Sequence, residues 1–301
     1  MSDIQNNAAP ELDIRPLHPA LGAAVTGIDL AQPLAPETFE ALHQAWMEHL
    51  VLVFPRQAVS DEQQIAFARQ FGDLEVHHQD IIRSNSAPEI FRVSNVTDDG
   101  KLMDPDHASV AQISLAQRWH TDSSFRPVPS KGSILHGLEV TAEGGQTWFT
   151  NMYKVYDALS ADQRRRIEGR KACHDFGHLA TLAPIKPLSP SEREAMPPVW
   201  QPMIRQHPVT GQKSLFISPI YNNAVEGMDD EAALALIAEL AELAEDEAFV
   251  YRHIWSPDDI VMWDNRCTMH RRDSFDPATR RVMHRAQVKG EVPLAFEPEA
   301  A

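Results

Sequence analysis

Three segments of strand character follow one another near the C-terminal end of this chain, at residues 249–255, 260–263 and 281–288, with no helix between them. Consecutive strands joined without a crossover helix pair antiparallel, so this part of the chain cannot be a βαβ unit. Further strands are expected at 50–54, a continuous apolar run, and at 91–94, 132–140, 147–149 and 214–217, with two short extended pieces inside 12–28. Helices fall in groups. One spans 36–49, opened by Pro36, with Phe39, Leu42 and Trp46 on one face. A second is opened by Ser60-Asp61-Glu62-Gln63, which has capping-box form, and is closed by Gly72. Two pieces lie near 152–159 and from Ser160, and the last, at 229–245, is rich in Ala, Leu and Glu. Short strands with grouped helices predict a mainly β fold, a mostly antiparallel barrel or sandwich with helical insertions. Residues 1–10 read as a disordered lead-in and 11–301 as one domain. Residues 73–118 hold little regular structure, and a lid or substrate loop is expected there, an ordinary surface excursion being the alternative. The Pro-rich stretch 183–203 is expected to wrap the surface.

The formal net charge of −16 argues against nucleic acid and anionic membrane surfaces as partners. It leaves room for a small anion, because a local arginine pocket overrides a global field. Cys173 and Cys267 are far apart and form no disulfide framework, which fits a reducing compartment. The polar first ten residues lack a signal-type apolar core, and no apolar run reaches membrane-spanning length. A soluble cytoplasmic protein is the expectation.

The chemistry-bearing stretch is Trp119-His120-Thr121-Asp122. In extended backbone His120 and Asp122 point the same way, which supplies two of the three ligands of a 2-His-1-carboxylate site. The segment from Val261 to His270 runs off an apolar strand into a polar turn, and His270 is the third candidate. Two imidazoles and a carboxylate suit Fe(II) with open positions, and they also suit zinc. Arg281, Met283 and Arg285 share one face of an expected strand. Two guanidinium groups aimed inward need anions, from a cosubstrate and a substrate, or else from Asp or Glu side chains. There is no Gly-rich phosphate loop. His174 and His178 read as packing or pocket-wall residues, and the acidic run 239–247 as a solvated helix face.

The set Trp119-His120-Thr121-Asp122, Gly144-Gly145-Gln146-Thr147, Trp263-Asp264-Asn265-Arg266 through His270, and Arg281 through Arg285 resembles the taurine / 2,4-dichlorophenoxyacetate dioxygenase family. Ser94-Asn95-Val96, Ala195-Met196-Pro197-Pro198-Val199 and Glu226-Gly227 are similar to its phenoxyacetate branch. The resemblance implies a double-stranded β-helix (jelly-roll) core, Fe(II), and 2-oxoglutarate and O₂ as cosubstrates. It implies that His120, Asp122 and His270 hold iron, that Arg281 and Thr147 hold the far carboxylate of 2-oxoglutarate, and that Arg285 meets an acidic substrate. His77 falls where the taurine branch binds the substrate's acid. His207, on an expected strand at 203–207, matches a pocket histidine of a similar enzyme, the alternative being a hydrogen-bonded histidine at a strand end. Retention of Asp122 implies hydroxylation rather than halogenation. A homo-oligomer is also implied. The chain departs from the phenoxyacetate pattern at Pro219-Ile220-Tyr221-Asn222-Asn223 and over 77–85, both expected to wall the substrate pocket. The expected activity is hydroxylation of a small anionic substrate, an aryloxyalkanoate first, with ether cleavage. The alternatives are a sulfonate, an alkyl sulfate or another small carboxylate. From other classes, they are a zinc hydrolase or a non-catalytic metal-binding barrel.

Overall fold

A computed structural model gives the fold and describes residues 12–76, 84, 87–97, 99–104, 107–183, 185 and 187–296. The lead-in at 1–10 and His77 lie outside the described residues. Strands β1 (Asp13–Pro16) and β2 (Ala23–Thr26) form a hairpin, and helix α1 (Pro36–His49) leads into β3 (Val51–Phe54). Helix α2 (Asp61–Arg69), strand β4 (Phe91–Ser94) and helix α3 (Ala108–Ser114) follow. Strands β5 (Ser130–Glu139) and β6 (Thr147–Asn151) precede helices α4 (Met152–Ala158) and α5 (Ala161–Ile167). Next come β7 (Lys171–His174), α6 (Leu179–Leu182), α7 (Pro190–Ala195), β8 (Val199–Pro202), β9 (Ile204–Gln206), β10 (Lys213–Leu215) and β11 (Asn222–Val225). Helix α8 (Asp230–Leu243) is followed by β12 (Val250–His253), β13 (Ile260–Asp264), β14 (Thr268–Arg272), β15 (Val282–Lys289) and β16 (Leu294–Ala295).

The largest sheet has the order β1-β2-β3-β13-β5-β15-β4, antiparallel except between β2 and β3. Its central strands are apolar on both faces because both faces are covered. Leu52, Phe54, Ile134, Ile260, Met262 and Val288 cluster with Leu42 and Trp46 of α1 and Phe67 of α2. The alternate residues Val51, Val53, Leu135, Val261, Trp263 and Met283 cluster with Phe149 of β6. That second face opposes the sheet β12-β6-β14. The outer helices start where the sequence places their caps: Pro36 opens α1, and Ser60 and Gln63 exchange both capping-box bonds at α2.

The polar strands differ from expectation. The segment leading to His270 is not only a turn. Residues Thr268–Arg272 form β14, paired with β6 in the register His270↔Phe149. Strand β8 lies within the stretch expected to wrap the surface, and β11 starts in the 219–223 stretch expected to wall the pocket. Both join β7 in a third sheet of order β11-β7-β8. Residues 73–118 carry the expected strand β4 and also α3. Among the described residues no helix is long and apolar enough to cross a membrane.

Candidate active site

His120 is set by backbone pairing. Its N–H donates to the His270 carbonyl at 3.0 Å, and the His270 N–H donates back to the His120 carbonyl at 2.9 Å. The two imidazole centroids are therefore only 4.1 Å apart. Asp122, two residues on, joins them. Its Oδ1 lies 3.9 Å from His120 Nε2 and its Oδ2 lies 3.9 Å from His270 Nε2. The three donor atoms all lie within 4.8 Å of one another. They are too far apart for direct hydrogen bonds and are spaced as donors around one divalent ion.

The surroundings prepare these groups as ligands. His120 Nδ1 lies 2.9 Å from the Arg118 carbonyl, which fixes the proton on Nδ1 and turns the Nε2 lone pair toward Asp122. Burial lowers the pKa of both histidines, so both are neutral near pH 7. Burial pushes the Asp122 pKa up, but Arg285, His270 and His120 together outweigh it and hold Asp122 at about 2. Ser133 Oγ donates to Asp122 Oδ2 at 2.7 Å. Asn265 Nδ2 in turn donates to Ser133 Oγ at 2.9 Å, and Trp263 Nε1 donates to Asn265 Oδ1 at 2.9 Å. Asn265 of the conspicuous Trp-Asp-Asn-Arg run thus aims the serine proton at the Asp122 carboxylate.

Arg285 lies on the inner face of β15 and places Nη1 2.9 Å from Asp122 Oδ1. Arg281, only 3 % exposed, immediately precedes β15. Its backbone N–H donates to Asn95 Oδ1 at 2.8 Å, and Nη2 donates to the Gly145 carbonyl at 3.3 Å. Gly145 has φ +72, and a Cβ there would stand 3.2 Å from Arg281 Nε. The glycine therefore serves both the turn and the approach of the guanidinium. Among the described residues no carboxylate lies within ion-pair range of Arg281. Burial pushes its pKa down to about 9. A buried cation without a protein counter-ion fits an anionic ligand. Thr147 Oγ1 accepts from Trp255 Nε1 at 2.9 Å, which leaves the threonine proton free to donate.

The structure does not bring His207 to this cavity. Its Nδ1 accepts from the N–H groups of Val209 and Thr210, at 3.2 and 3.1 Å, and its Nε2 lies 3.1 Å from Asp264 Oδ2. Asp264 also binds Arg266 through Nε and Nη2, at 2.9 and 2.7 Å. His207, Asp264 and Cys267 have metal-like proximity, but the Asp264 oxygens are already engaged by Arg266 and His207. His174 is likewise a packing residue, fully buried against Phe216 with its pKa lowered to about 3 by burial. Asp264→Asn is expected to destabilise the protein by about 3–5 kcal/mol, because it leaves the largely buried Arg266 with only the more exposed Glu291, at 3.3 Å, as a charge partner. The urea midpoint measures this. Because the folded pKa of Asp264 is depressed, its support is full above the unfolded carboxyl value near ~4 and is lost as the pH falls below it.

A cleft opens onto His120, Asp122 and Arg285. Its walls include Phe91, Ile113, Leu115, Phe125, Phe176, Ile220 and Tyr221. The Phe125 centroid lies 4.7 Å from Phe176 and 5.0 Å from Tyr221. Ile220 and Tyr221 belong to the loop expected to wall the pocket. The other rings come from separate segments with no common spacing, so no pattern in the sequence announces them. Arg272 shares the inner face of β14 with His270, at a two-residue offset.

A strand-rich fold with one His-Asp-His site beside buried arginines defines an oxygenase-like class. The chain belongs to the taurine catabolism dioxygenase TauD, TfdA family, whose model matches residues 13–287. It is 40% identical over 277 residues to the alpha-ketoglutarate-dependent 2,4-dichlorophenoxyacetate dioxygenase of Cupriavidus pinatubonensis, covering 90% of this chain and 95% of that protein. It is 35% identical over 292 residues to the (S)-phenoxypropionate/alpha-ketoglutarate-dioxygenase of Sphingobium herbicidovorans, covering 94% and 96%. The crystal structure of AAD-2 in complex with Mn(II) and N-oxalylglycine superposes with a TM-score of 0.87 at 35% identity, covering 95% of this chain and 100% of that one.

Proposed function

We propose that this protein is an Fe(II)- and 2-oxoglutarate-dependent dioxygenase that hydroxylates an aryloxyalkanoate beside its ether oxygen. The observation that carries the substrate class is the cleft, an aromatic-walled space ending at Arg285. An aryl ring fills such walls and a carboxylate meets the arginine. A small aliphatic sulfonate or an alkyl sulfate would satisfy Arg285 and leave the rings without a partner. A zinc hydrolase would leave Arg281 and Thr147 without a ligand.

In this reading His120, Asp122 and His270 hold the iron, Arg281 and Thr147 grip the distal carboxylate of 2-oxoglutarate, and Arg285 binds the substrate acid. When bound, iron and 2-oxoglutarate supply the oxidising power, with O₂ converting the 2-oxo acid to succinate and CO₂ and one oxygen atom entering a substrate C–H bond. The protein's own residues orient the partners and exclude water. Asp122 stays ionised, both histidines stay neutral, and the apolar walls keep bulk solvent from the reacting carbon. Hydroxylation beside the ether oxygen gives a hemiacetal, which collapses to a phenol and a 2-oxo acid.

The reading extends to the whole molecule. We read the two opposed sheets as the halves of a double-stranded β-helix, residues 11–301 as one domain, and the 73–118 segment as its lid or substrate loop. The resemblance to the taurine branch assigns His77 to the substrate's acidic group. A homo-oligomeric, cytoplasmic enzyme completes it. A substrate panel scored by succinate release is the test. Aryloxyacetates are expected to drive succinate formation well above taurine or an alkyl sulfate, and the reverse order would overturn the substrate class. Anaerobic addition of Fe(II) and 2-oxoglutarate is expected to give a visible charge-transfer band, and its absence would overturn the oxygenase reading.

A further inference from the structure

Arg272 has no role in the site described so far, yet it is built into it. Its side chain lies on the same face of β14 as His270 and is only 6 % exposed. Nη1 donates to the Asp273 carbonyl at 2.7 Å and Nη2 to the Ile113 carbonyl at 3.2 Å. Ile113 lines the substrate cleft. Among the described residues no carboxylate lies within ion-pair range of Arg272. Its guanidinium carbon lies 4.7 Å from the centroid of Phe275, and that of Arg281 lies 5.7 Å from the same ring. Two buried guanidinium groups thus converge on one phenylalanine, with only carbonyl oxygens as acceptors.

That arrangement is costly in isolation. Burial lowers the pKa of Arg272 to about 10, and Arg272 adds its own charge to the burial that lowers Arg281. Carbonyl groups offset part of the desolvation and none of the mutual repulsion. A carboxylate held beside both cations offsets both penalties. The carbonyl bonds leave donors free on each guanidinium for this purpose.

We propose that Arg272 and Arg281 together form the seat for the distal carboxylate of the 2-oxo acid cosubstrate, so that Arg272 helps to select a dicarboxylic 2-oxo acid over a monocarboxylic one. This rests on the 2-oxoglutarate reading given above. Arg272 touches the end of the cosubstrate remote from the metal, so its removal acts on the second carboxylate and not on metal chelation.

The experiment is calorimetric titration of the Mn(II)-loaded protein with 2-oxoglutarate, and competition with pyruvate, which has no distal carboxylate. For Arg272→Met the dissociation constant for 2-oxoglutarate is expected to rise about tenfold or more, with pyruvate binding unchanged. Arg272→Lys keeps the charge and is expected to recover part of the loss. Unchanged 2-oxoglutarate affinity in both variants overturns the proposal, as does an equal loss for 2-oxoglutarate and pyruvate, which marks a structural residue. If Arg272→Met does not fold by circular dichroism, the same comparison is made on Arg272→Lys, where a loss confined to 2-oxoglutarate supports the proposal and an unchanged profile overturns it. Failure of the wild-type protein to bind 2-oxoglutarate overturns the parent reading instead.

Discussion

Asp122→Ala is expected to abolish succinate formation and to weaken divalent-metal binding by more than about 100-fold, since losing even an outer partner of a metal ligand costs 10–100-fold. Asp122 is the one carboxylate of the trio, and both of its oxygens face imidazole nitrogens at 3.9 Å. Removing it leaves two neutral imidazoles, which hold a divalent ion without charge neutralisation. It also strips Arg285 of its contact at 2.9 Å and Ser133 of its acceptor. The metal-free variant is therefore expected to be less stable as well. Calorimetry with Mn(II) and a urea titration separate the two effects. Metal affinity within a few-fold of wild type in a folded Asp122→Ala protein would move the metal elsewhere. Asp122→Asn refines the result, because an amide keeps a hydrogen-bonding oxygen at the same place without the charge. Metal affinity should fall there too, with a smaller loss of stability.

The sequence revealed some strands and hid others for a physical reason. Strands β3 and β13 are apolar on both faces because helices cover one side and the second sheet the other. An apolar run is therefore visible without knowing the fold. Strand β14 reads Thr-Met-His-Arg-Arg because its inner face carries His270 and Arg272. Functional demand replaced its hydrophobic signal, and it looked like a turn. The candidate ligand pair His120 and Asp122 was legible because the two lie only two residues apart in the sequence. His270 was legible only as the end of a neighbouring motif, since the bridge to His120 is tertiary. His207 shows the opposite failure. Its partner Asp264 lies 57 residues further along, and the pairing that accounts for the histidine forms only on folding. Arg272 is flanked by Arg271 and Asp273, which pair with each other at 2.9 Å, so the trio reads as a surface charge cluster. Only counting alternate residues from His270 separates the inward arginine from its neighbour.

Arg281→Met and Arg285→Met are expected to change stability in opposite directions while both impair turnover. Arg281 has no carboxylate partner among the described residues and is deeply buried. Replacing a buried, unpaired cation by an apolar chain of similar length removes a desolvation cost, so the ligand-free protein should keep or gain stability. Its affinity for 2-oxoglutarate should fall by roughly 2–5 kcal/mol, about 30- to 5,000-fold, because the bound dicarboxylate then lacks its cation. Arg285 is different, since its guanidinium already balances Asp122. Arg285→Met leaves that carboxylate buried with only Ser133 and the imidazoles beside it, so the metal-free protein should lose stability. Added Mn(II) should restore much of this loss by supplying the missing positive charge. Binding of 2-oxoglutarate should persist, together with slow turnover uncoupled from substrate, while the KM for an aryloxyacetate rises steeply. Urea midpoints with and without Mn(II) read out the stabilities, titrations with 2-oxoglutarate the cosubstrate affinities, and turnover assays the KM and the uncoupled rate. If both variants lose 2-oxoglutarate and aryloxyacetate binding alike, the division of labour between the two arginines is wrong. If Arg281→Met is the strongly destabilised variant, the cation has a protein partner and is no ligand seat.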